Sequence, residues 1–502
     1  MKKLKNILTL IISIGILYSC NDAIDIDVPG QQDDSTVFTS VSDLQGGLDG
    51  VYITLDLTQD IFFNSNFSDE VTRGLTNGGQ GINGFNFFLP TTAAEAFVFW
   101  SKYYNTSMVA SRVLEAAENI TPEQDEVSQY NQIIGSLKAI RAYSHFMLFA
   151  YYTPDYTNDA GLSVPIVDFV PSIEHRPTRN TVAEFVQYFN AELDEAESLL
   201  PQQSKYFVSK DFCRALRARF AAFRQDYTTA LSMSQALLNS YPISNPTQFA
   251  SMFSASGQND TEVIFHLART AGDRYDRQAG AGGNGTVLAG GRAGNIFAFT
   301  NVGPNGGPFL QMNRALYNLY DENDVRAEVY LHPQSTINPN WDNNASPNDD
   351  VLVINKYPGK DGIPLMADLK VFRSSEMLLI AAEAHISNNQ LNNAATLIKQ
   401  LRDSRLTSGT APLPVYASQQ EAYLDLITER RRELAFEAHR YFDIKRLGER
   451  AGQGVDRALN ECNFHSWAVC TLPPTDYRFT LPIPQAEFDG NPNMAGQQNP
   501  GY

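Results

Sequence analysis

Cysteine and basic residues are both scarce in this 502-residue chain. Its four Cys are too few for a disulfide framework of the kind that holds small secreted domains together. It has 38 Lys and Arg against 56 Asp and Glu, and its formal net charge is −18. Because nucleic-acid binding relies on Lys and Arg to neutralise phosphates, we expect no nucleic-acid partner.

The sequence also lacks an apolar run long enough to cross a bilayer as a helix, which needs roughly 20 residues. Residues 7–17 are almost wholly apolar and follow three lysines, an arrangement with the length of a signal-peptide core. Ser19 and Cys20 come directly afterwards, as in bacterial lipoprotein signals. We therefore expect residues 1–19 to be removed and Cys20 to carry lipid. An ordinary secretory signal with a chance Cys is the alternative.

Three cysteines remain after Cys20. Cys213 falls in a helical pattern and is expected to be a small buried hydrophobe. Cys462 and Cys470 are eight residues apart in a loop-like stretch and could form a disulfide in an oxidising compartment. A zinc site with His465 is the alternative, although the usual two-to-four-residue Cys spacing is absent. We expect no metal site.

Helical periodicity dominates the rest of the chain. Thr181, followed by Glu184, is typical of a helix N-cap with a capping box. The two segments 215–231 and 377–395 resemble tetratricopeptide helical pairs, whose apolar faces must be covered by stacking. The predicted helices cover residues 99–119, 125–151, 181–200, 210–224, 227–238, 370–387, 392–405 and 421–448.

Long segments rich in Gly, Asn, Pro and aromatic residues separate the helical blocks. Loops of this length are usually functional or disordered, and their aromatic content argues against disorder. The fold class is therefore mainly α: an irregular tetratricopeptide-like scaffold with a long-loop binding region. We predict an acidic tether at residues 20–34 and one domain over 35–502, with loop-rich insertions at about 240–362.

The C-terminal third carries a specific resemblance. Residues 427–448, with the sequence ITERRRELAFEAHRYFDIKRLG, resemble the signature helix of the SusD/RagB family of outer-membrane nutrient-binding lipoproteins. Residues 372–384 and the ending at 481–502 resemble other parts of that family, and residues 137–167 and 181–201 fit its N-terminal half. The resemblance implies a SusD-like fold over nearly the whole chain after residue 20.

By this resemblance the protein is a cell-surface lipoprotein of the outer membrane. It is expected to bind an oligosaccharide or similar nutrient, without a cofactor and without catalysis, and to deliver it to a TonB-dependent transporter of the SusC type. Acidic residues after the lipidated Cys resemble the surface-export signal of Bacteroidetes lipoproteins. The chain has only three Trp, which weakens the assignment of a glycan ligand, so a peptide remains an alternative ligand. Two other functions are considered. The first is a protein-interaction scaffold, and the second, less favoured by the sequence, is a surface glycoside hydrolase.

Sugar rings stack on flat aromatic faces, and polar side chains pair with their hydroxyls. Two loop regions offer both kinds of residue. The expected ligand contacts are Asp69, Arg73, Asn83, Phe85, Asn86 and Phe87 in the first region, and Arg274, Tyr275, Arg292, Phe297, Asn301 and Trp341 in the second.

The Arg- and Glu-rich signature segment is expected to be structural. Arg431 falls on the apolar stripe of the predicted helix, and a buried Arg must be paired and hydrogen-bonded. Glu376 and Glu383, on the preceding predicted helix, are the candidate partners. The formal G-x-G-x-x-G at 280–285 lacks the preceding strand and following helix of a dinucleotide site, so it indicates a loop.

Overall fold

The computed structural model describes residues 37–502 apart from 75, 255–258, 271–292, 299–306, 342–348 and 463–467. The expected signal segment, Cys20 and the tether lie outside the described residues, as do Arg274, Tyr275, Arg292, Asn301, His465 and the glycine-rich loop at 280–285. Across the described part of the chain, no helix is both long and apolar enough to span a membrane.

Helices make up most of the ordered structure. They are α1 Val41–Thr54, α2 Thr58–Phe67, α3 Ile82–Phe85, α4 Ala94–Ala117, α5 Val127–Tyr152, α6 Val182–Leu199, α7 Lys210–Arg224, α8 Tyr227–Leu238, α9 Pro246–Met252, α10 Arg314–Tyr317, α11 Val325–Tyr330, α12 Ser374–Ser387, α13 Leu391–Asp403, α14 Gln419–Glu433, α15 Arg440–Ala451, α16 Leu459–Cys462 and α17 Gln485–Gly490. Short 3-10 turns lie at Ala293–Ile296, Tyr477–Phe479 and Pro492–Met494.

Among the described residues the strands are short and form four two-stranded antiparallel ribbons, β1 with β3, β2 with β6, β4 with β5 and β7 with β8. Their bounds are β1 Val71–Arg73, β2 Val263–Leu267, β3 Leu310–Met312, β4 Gly359–Lys360, β5 Ile363–Pro364, β6 Leu369–Arg373, β7 Val455–Asp456 and β8 Thr471–Leu472.

Consecutive helices pack in pairs, which confirms the tetratricopeptide-like scaffold. α4, α5 and α6 pack in sequence order, α7 packs on α8, and α12 on α13, while α8 also lies against α12. One continuous hydrophobic core includes residues from Val41 to Met494. The boundary at residue 35 stays a prediction.

Local sequence signals account for several helix ends. Thr181 accepts a hydrogen bond from the backbone N–H of Glu184, and the Glu184 carboxylate accepts one from the backbone N–H of Thr181. The predicted capping box is therefore confirmed. α7 and α8 begin and end where the periodicity predicts, because Gln225 closes α7 in the left-handed conformation and Asp226 caps α8.

Three predicted helices are wrong in their extent. The helix predicted at 99–119 is α4, which begins five residues earlier, at Ala94. Residues 370–373 belong to β6, which pairs with β2, so the helix begins only at Ser374. The predicted helix 421–448 is two helices, α14 and α15, separated by residues 434–439. Phe436 and Ala438 in this connection have φ of 64° and 66°, left-handed values that a right-handed helix does not allow.

The dense charge of the signature segment forms a buried structural network, as the sequence predicts. Glu433 on α14 accepts hydrogen bonds from Arg373 at 2.9 Å and from Arg405 at 2.8 and 3.0 Å, and Arg326 lies 3.3 Å away. Burial opposes ionisation of Glu433, but these arginines outweigh it and hold its pKa well below its usual value. We call the whole set the central ion network: Glu262, Asp324, Arg326, Lys356, Arg373, Arg402, Arg405, Glu429, Glu433 and Glu437.

Candidate functional site

The pairing of β1 with β3 brings the two predicted loop regions together. Arg73 lies opposite Leu310 in the antiparallel register. Just beyond, the backbone N–H of Gly74 donates to the carbonyl of Phe309 at 2.9 Å. A side chain at Gly74 would place its Cβ 1.9 Å from the carbonyl oxygen of Pro308, so this close approach requires glycine. This pairing could not be predicted from local sequence patterns, because the strands have only three residues each.

Three of the aromatic candidates, Phe85, Phe87 and Phe297, lie in the interior. Phe85 and Phe87 are each 1% exposed, and the Arg457 guanidinium lies 3.9 and 4.7 Å from their ring centroids. Phe297 is also buried and stacks parallel to Tyr357 at 6.2 Å. Asn86 is buried at the end of α3. In this structure these side chains pack the loops against the scaffold, so their faces are not available to a ligand.

Asp69 is likewise part of a buried ion pair. Its carboxylate accepts hydrogen bonds from Arg440 at 2.7 and 2.9 Å, and Arg431 Nη1 lies 3.3 Å from it. Burial raises the pKa of Asp69, but Arg431 and Arg440 outweigh burial and lower it to about 2. The carboxylate is therefore ionised and already occupied by two arginines.

These contacts correct the expected partners of Arg431. Glu376 instead binds Arg219, with its oxygens 2.6 and 2.7 Å from the guanidinium. Glu383 binds Arg446. Arg431 is buried and paired, as expected, but its carboxylate lies more than 360 positions earlier in the chain. Pairing with α12 was inferred from sequence proximity, which the tertiary packing overrides.

Three candidates keep exposed surface. Asn83 is exposed on α3, whereas Arg73 and Trp341 are half-buried. The Arg314 guanidinium lies 5.6 Å from the Trp341 ring centroid, within cation–π range. Arg314 also forms a 2.7 Å ion pair with Asp350. Arg314 and Asp350 were not among the sequence candidates, because no sequence pattern distinguishes them from the other charged residues of the predicted loop-rich region.

α16 is hydrogen-bonded to both loop regions. The Glu461 carboxylate accepts hydrogen bonds from the Arg314 backbone N–H and from Asn313 Nδ2, both at 2.7 Å. The Thr72 hydroxyl donates to the Glu461 carbonyl, and Asn460 Nδ2 donates to the Trp341 carbonyl at 2.6 Å. Arg73, Trp341 and Asp350 are partly exposed, and we call them, together with the buried Arg314 that contacts Trp341 and Asp350, the candidate surface.

A disulfide lies at the C-terminal end of α16. Cys462 and Cys470 are bonded, with their Cα atoms 5.5 Å apart, and β7 and β8 pair on either side of the loop they enclose. Cys213 is a free, buried thiol in α7. Within the described ranges, no three His, Cys, Asp or Glu side chains are grouped so that they could hold a metal ion.

Glu70, next to Asp69, gives a testable pH dependence. It is buried, and burial raises its pKa to about 7, although hydrogen bonds from Ser65 and from the Phe436 backbone N–H oppose that rise. A raised folded-state pKa means that its contribution to stability is full below pH ~4.5 and is lost as pH rises through 7. Gln mimics the protonated form, so Glu70→Gln should stabilise the protein at pH 8 by about 3 kcal/mol.

The measurement is the free energy of unfolding from denaturant titrations at several pH values between 4.5 and 8. The gain should shrink towards zero as pH falls to 4.5. A gain of equal size at all pH values would show that Glu70 does not titrate in this window. Glu449→Gln, an exposed change on α15, is the control and should be neutral throughout.

Comparison with known proteins agrees with this architecture. A family model described as the SusD family matches residues 359–502, and one described as starch-binding associating with outer membrane matches residues 36–221. SusD-like protein P38 of Formosa agariphila is 24% identical, with 89% of this chain and 93% of that protein covered. SusD-like protein P2 of the same organism is 25% identical over the full length of both chains.

Solved structures share the fold. A SusD superfamily protein from Bacteroides thetaiotaomicron superposes with a TM-score of 0.73 at 22% identity, covering 92% of this chain and all of that one. A SusD-like carbohydrate binding protein from Bacteroides vulgatus gives a TM-score of 0.70 at 18% identity, covering 91% and 98%. The family models match both ends of the chain, and the relatives span its length. The chain therefore belongs to the SusD/RagB family.

Proposed function

We propose that the protein is a non-catalytic carbohydrate-binding lipoprotein of the outer membrane. It captures an oligosaccharide at the cell surface and passes it to a TonB-dependent transporter of the SusC type. The observation that carries the proposal is the match of residues 36–221 to a family described as starch-binding and associated with the outer membrane. The carbohydrate-binding description of a structural relative supports the same ligand class.

We place the ligand at the candidate surface. Trp341 offers a half-exposed ring there, and the charged groups of Arg314 and Asp350 lie beside it. An aromatic face suits the C–H face of a pyranose ring. The partly exposed Asp350 carboxylate can pair with hydroxyls, and the buried Arg314 holds it in place. The Trp341 backbone is also anchored, since its carbonyl accepts a hydrogen bond from Asn460 Nδ2.

Calorimetry tests the proposal. The soluble form, residues 21–502, is titrated with a panel of oligosaccharides and peptides, and the solutions are then analysed for products. Heat from one glycan class without product formation is the expected result. Heat from peptides alone would contradict the ligand class. Cleaved glycan would favour a hydrolase, and no binding with retained transporter association would favour an interaction scaffold.

Replacement of the Trp341 ring gives the matching variant. Trp341→Ala should weaken binding of the identified glycan about tenfold, ~1.4 kcal/mol, because the stacking surface is removed. Phe97→Ala removes a ring of similar type that is 51% exposed on α4, in the helical scaffold, and should leave affinity unchanged. Equal affinities of wild type and Trp341→Ala would place the ligand elsewhere.

The lipid anchor is tested at Cys20. Cys20→Ala removes the thiol that carries the lipid, so the variant should lose both acyl label and membrane association in fractionated cells. Several acyl chains are needed for a durable tether, because each buried CH₂ contributes only ~0.8 kcal/mol. A variant that keeps its label and its membrane fraction would rule out this attachment site. Cys213→Ala is the control, since that thiol is buried in α7.

A further inference from the structure

A small internal cavity is lined by the signature segment and lies between α5, α7, α12, α14 and α15. Its volume is about 30 Å³. Part of its lining is apolar and includes Phe146, Phe223 and Phe442. The charged and polar residues of the lining are Tyr143, Arg219, Glu376, Arg430, Glu437, His439, Asp443 and Arg446.

The ion pairs among the charged lining residues are incomplete. Arg430 Nε donates to Asp443 Oδ1 at 2.7 Å, and Arg446 Nη2 lies 3.6 Å from the same oxygen. The two terminal nitrogens of Arg446 bind Glu383 at 2.9 and 3.1 Å. Within the described part of the chain, this arrangement leaves Arg430 Nη1, Asp443 Oδ2 and Arg446 Nε buried without a hydrogen-bond partner.

Three unpaired polar atoms around one cavity define what can fill it. A buried donor or acceptor without a partner costs about 1–3 kcal/mol, and more when the group is charged. Two of the atoms are donors and the third is an acceptor. A water molecule can accept from both arginines and donate to Asp443. A halide would suit the donors but would be repelled by the carboxylate oxygen.

The size of the cavity agrees with this chemistry. One water needs roughly 10–15 Å³ of such space and two to four polar partners, so the cavity has room for about two waters. Tyr143 and His439 line the same cavity, and we infer that the hydroxyl of the first and the ring of the second bind the other water. Burial and the nearby cations Arg219 and Arg430 lower the pKa of His439 well below its usual value, so the ring is neutral.

We propose that this cavity is a structural water site, in which about two ordered waters join Arg430 to Asp443 and Arg446. Arg430 is on α14, and Asp443 and Arg446 are on α15, on either side of the connection with the left-handed residues Phe436 and Ala438. The waters thus help to hold α14 and α15, the two halves of the signature segment, in their relative orientation. The site is independent of the carbohydrate proposal.

Crystallography of the soluble chain tests the proposal, with native crystals and with crystals soaked in sodium bromide or pressurised with xenon. The expected result is water density within hydrogen-bond distance of Arg430 Nη1, Asp443 Oδ2 and Arg446 Nε, with no anomalous peak for bromine or xenon. A bromine peak would make the cavity an anion site. A xenon peak, or a cavity without density at a resolution that shows other buried waters, would make it dry. Any one of these three results overturns the proposal.

A variant separates the two water positions. Tyr143→Phe keeps the ring and removes only the hydroxyl. Density between Arg430, Asp443 and Arg446 should persist in this variant, because those three atoms alone supply the partners of the first water. Loss of that density on removal of one hydroxyl would show that the three charged groups do not bind a water of their own, and would overturn the proposed bridge.

Discussion

Glu433→Ala is expected to cost about 3–5 kcal/mol of folding free energy, since removal of one partner from a buried ion pair leaves the other charge uncompensated. Glu433 binds Arg373 and Arg405 directly and lies 3.3 Å from Arg326. The side chains of these arginines are at most 2% exposed, so water cannot replace the lost carboxylate. The measurement is the free energy of unfolding in denaturant, with the melting temperature as a second readout.

Glu449→Ala is the matched control for this change. Glu449 is an exposed Glu on the adjoining helix α15, and its loss should alter stability by less than about 0.5 kcal/mol. The affinity of folded Glu433→Ala protein for its glycan should equal that of wild type. A wild-type melting temperature in Glu433→Ala would contradict the structural interpretation of the signature segment, and lost affinity at full stability would point to a binding role instead.

Much of the helical scaffold could be predicted from local sequence alone. Helices α7 and α8 follow from apolar periodicity, from an abrupt polar break at Gln225 and Asp226, and from the capping preference of Asp. The capping box at Thr181 is a local signal of the same type. Such signals act within a few residues, and a single sequence contains them completely.

The break between α14 and α15 could not be predicted in this way. Residues 434–439 keep helical periodicity and contain neither Gly nor Pro. Long-range contacts hold the strained Phe436: the Tyr357 hydroxyl donates to its carbonyl at 2.7 Å, and Glu70 accepts from its N–H at 3.2 Å. Those partners are distant in sequence, so the strain is balanced by interactions that no local pattern reveals.

The candidate site shows the same limit. Loop aromatics such as Phe85 and Phe297 have the composition of a sugar platform, yet the fold buries both rings against Arg457 and Tyr357. Composition predicts which residue types a site needs, but burial decides which of them can meet a ligand. Trp341 combines the residue type with a loop position that the fold leaves half-exposed, so it stays a candidate for ligand contact.

Asp69→Ala is the second change with a large expected effect, again about 3–5 kcal/mol of lost stability. The substitution leaves Arg440 without its two carboxylate contacts and Arg431 without its nearest charge partner, and both arginines are buried. Because the folded-state pKa of Asp69 is lowered to about 2, its contribution is present above pH ~3.8 and is lost as pH falls through 2. The variant should therefore show its largest deficit near neutral pH, measured by denaturant unfolding at several pH values.

Asn83→Ala is the natural comparison, because Asn83 comes from the same predicted ligand region but is exposed on α3. It should melt within error of wild type. If Asp69 acted as a ligand contact, Asp69→Ala would keep wild-type stability and lose glycan affinity. If it anchors Arg431 and Arg440, stability falls, and the affinity of the remaining folded protein stays unchanged. The buried pair at Arg440 Nε, with a 2.7 Å hydrogen bond, makes the second outcome the expected one.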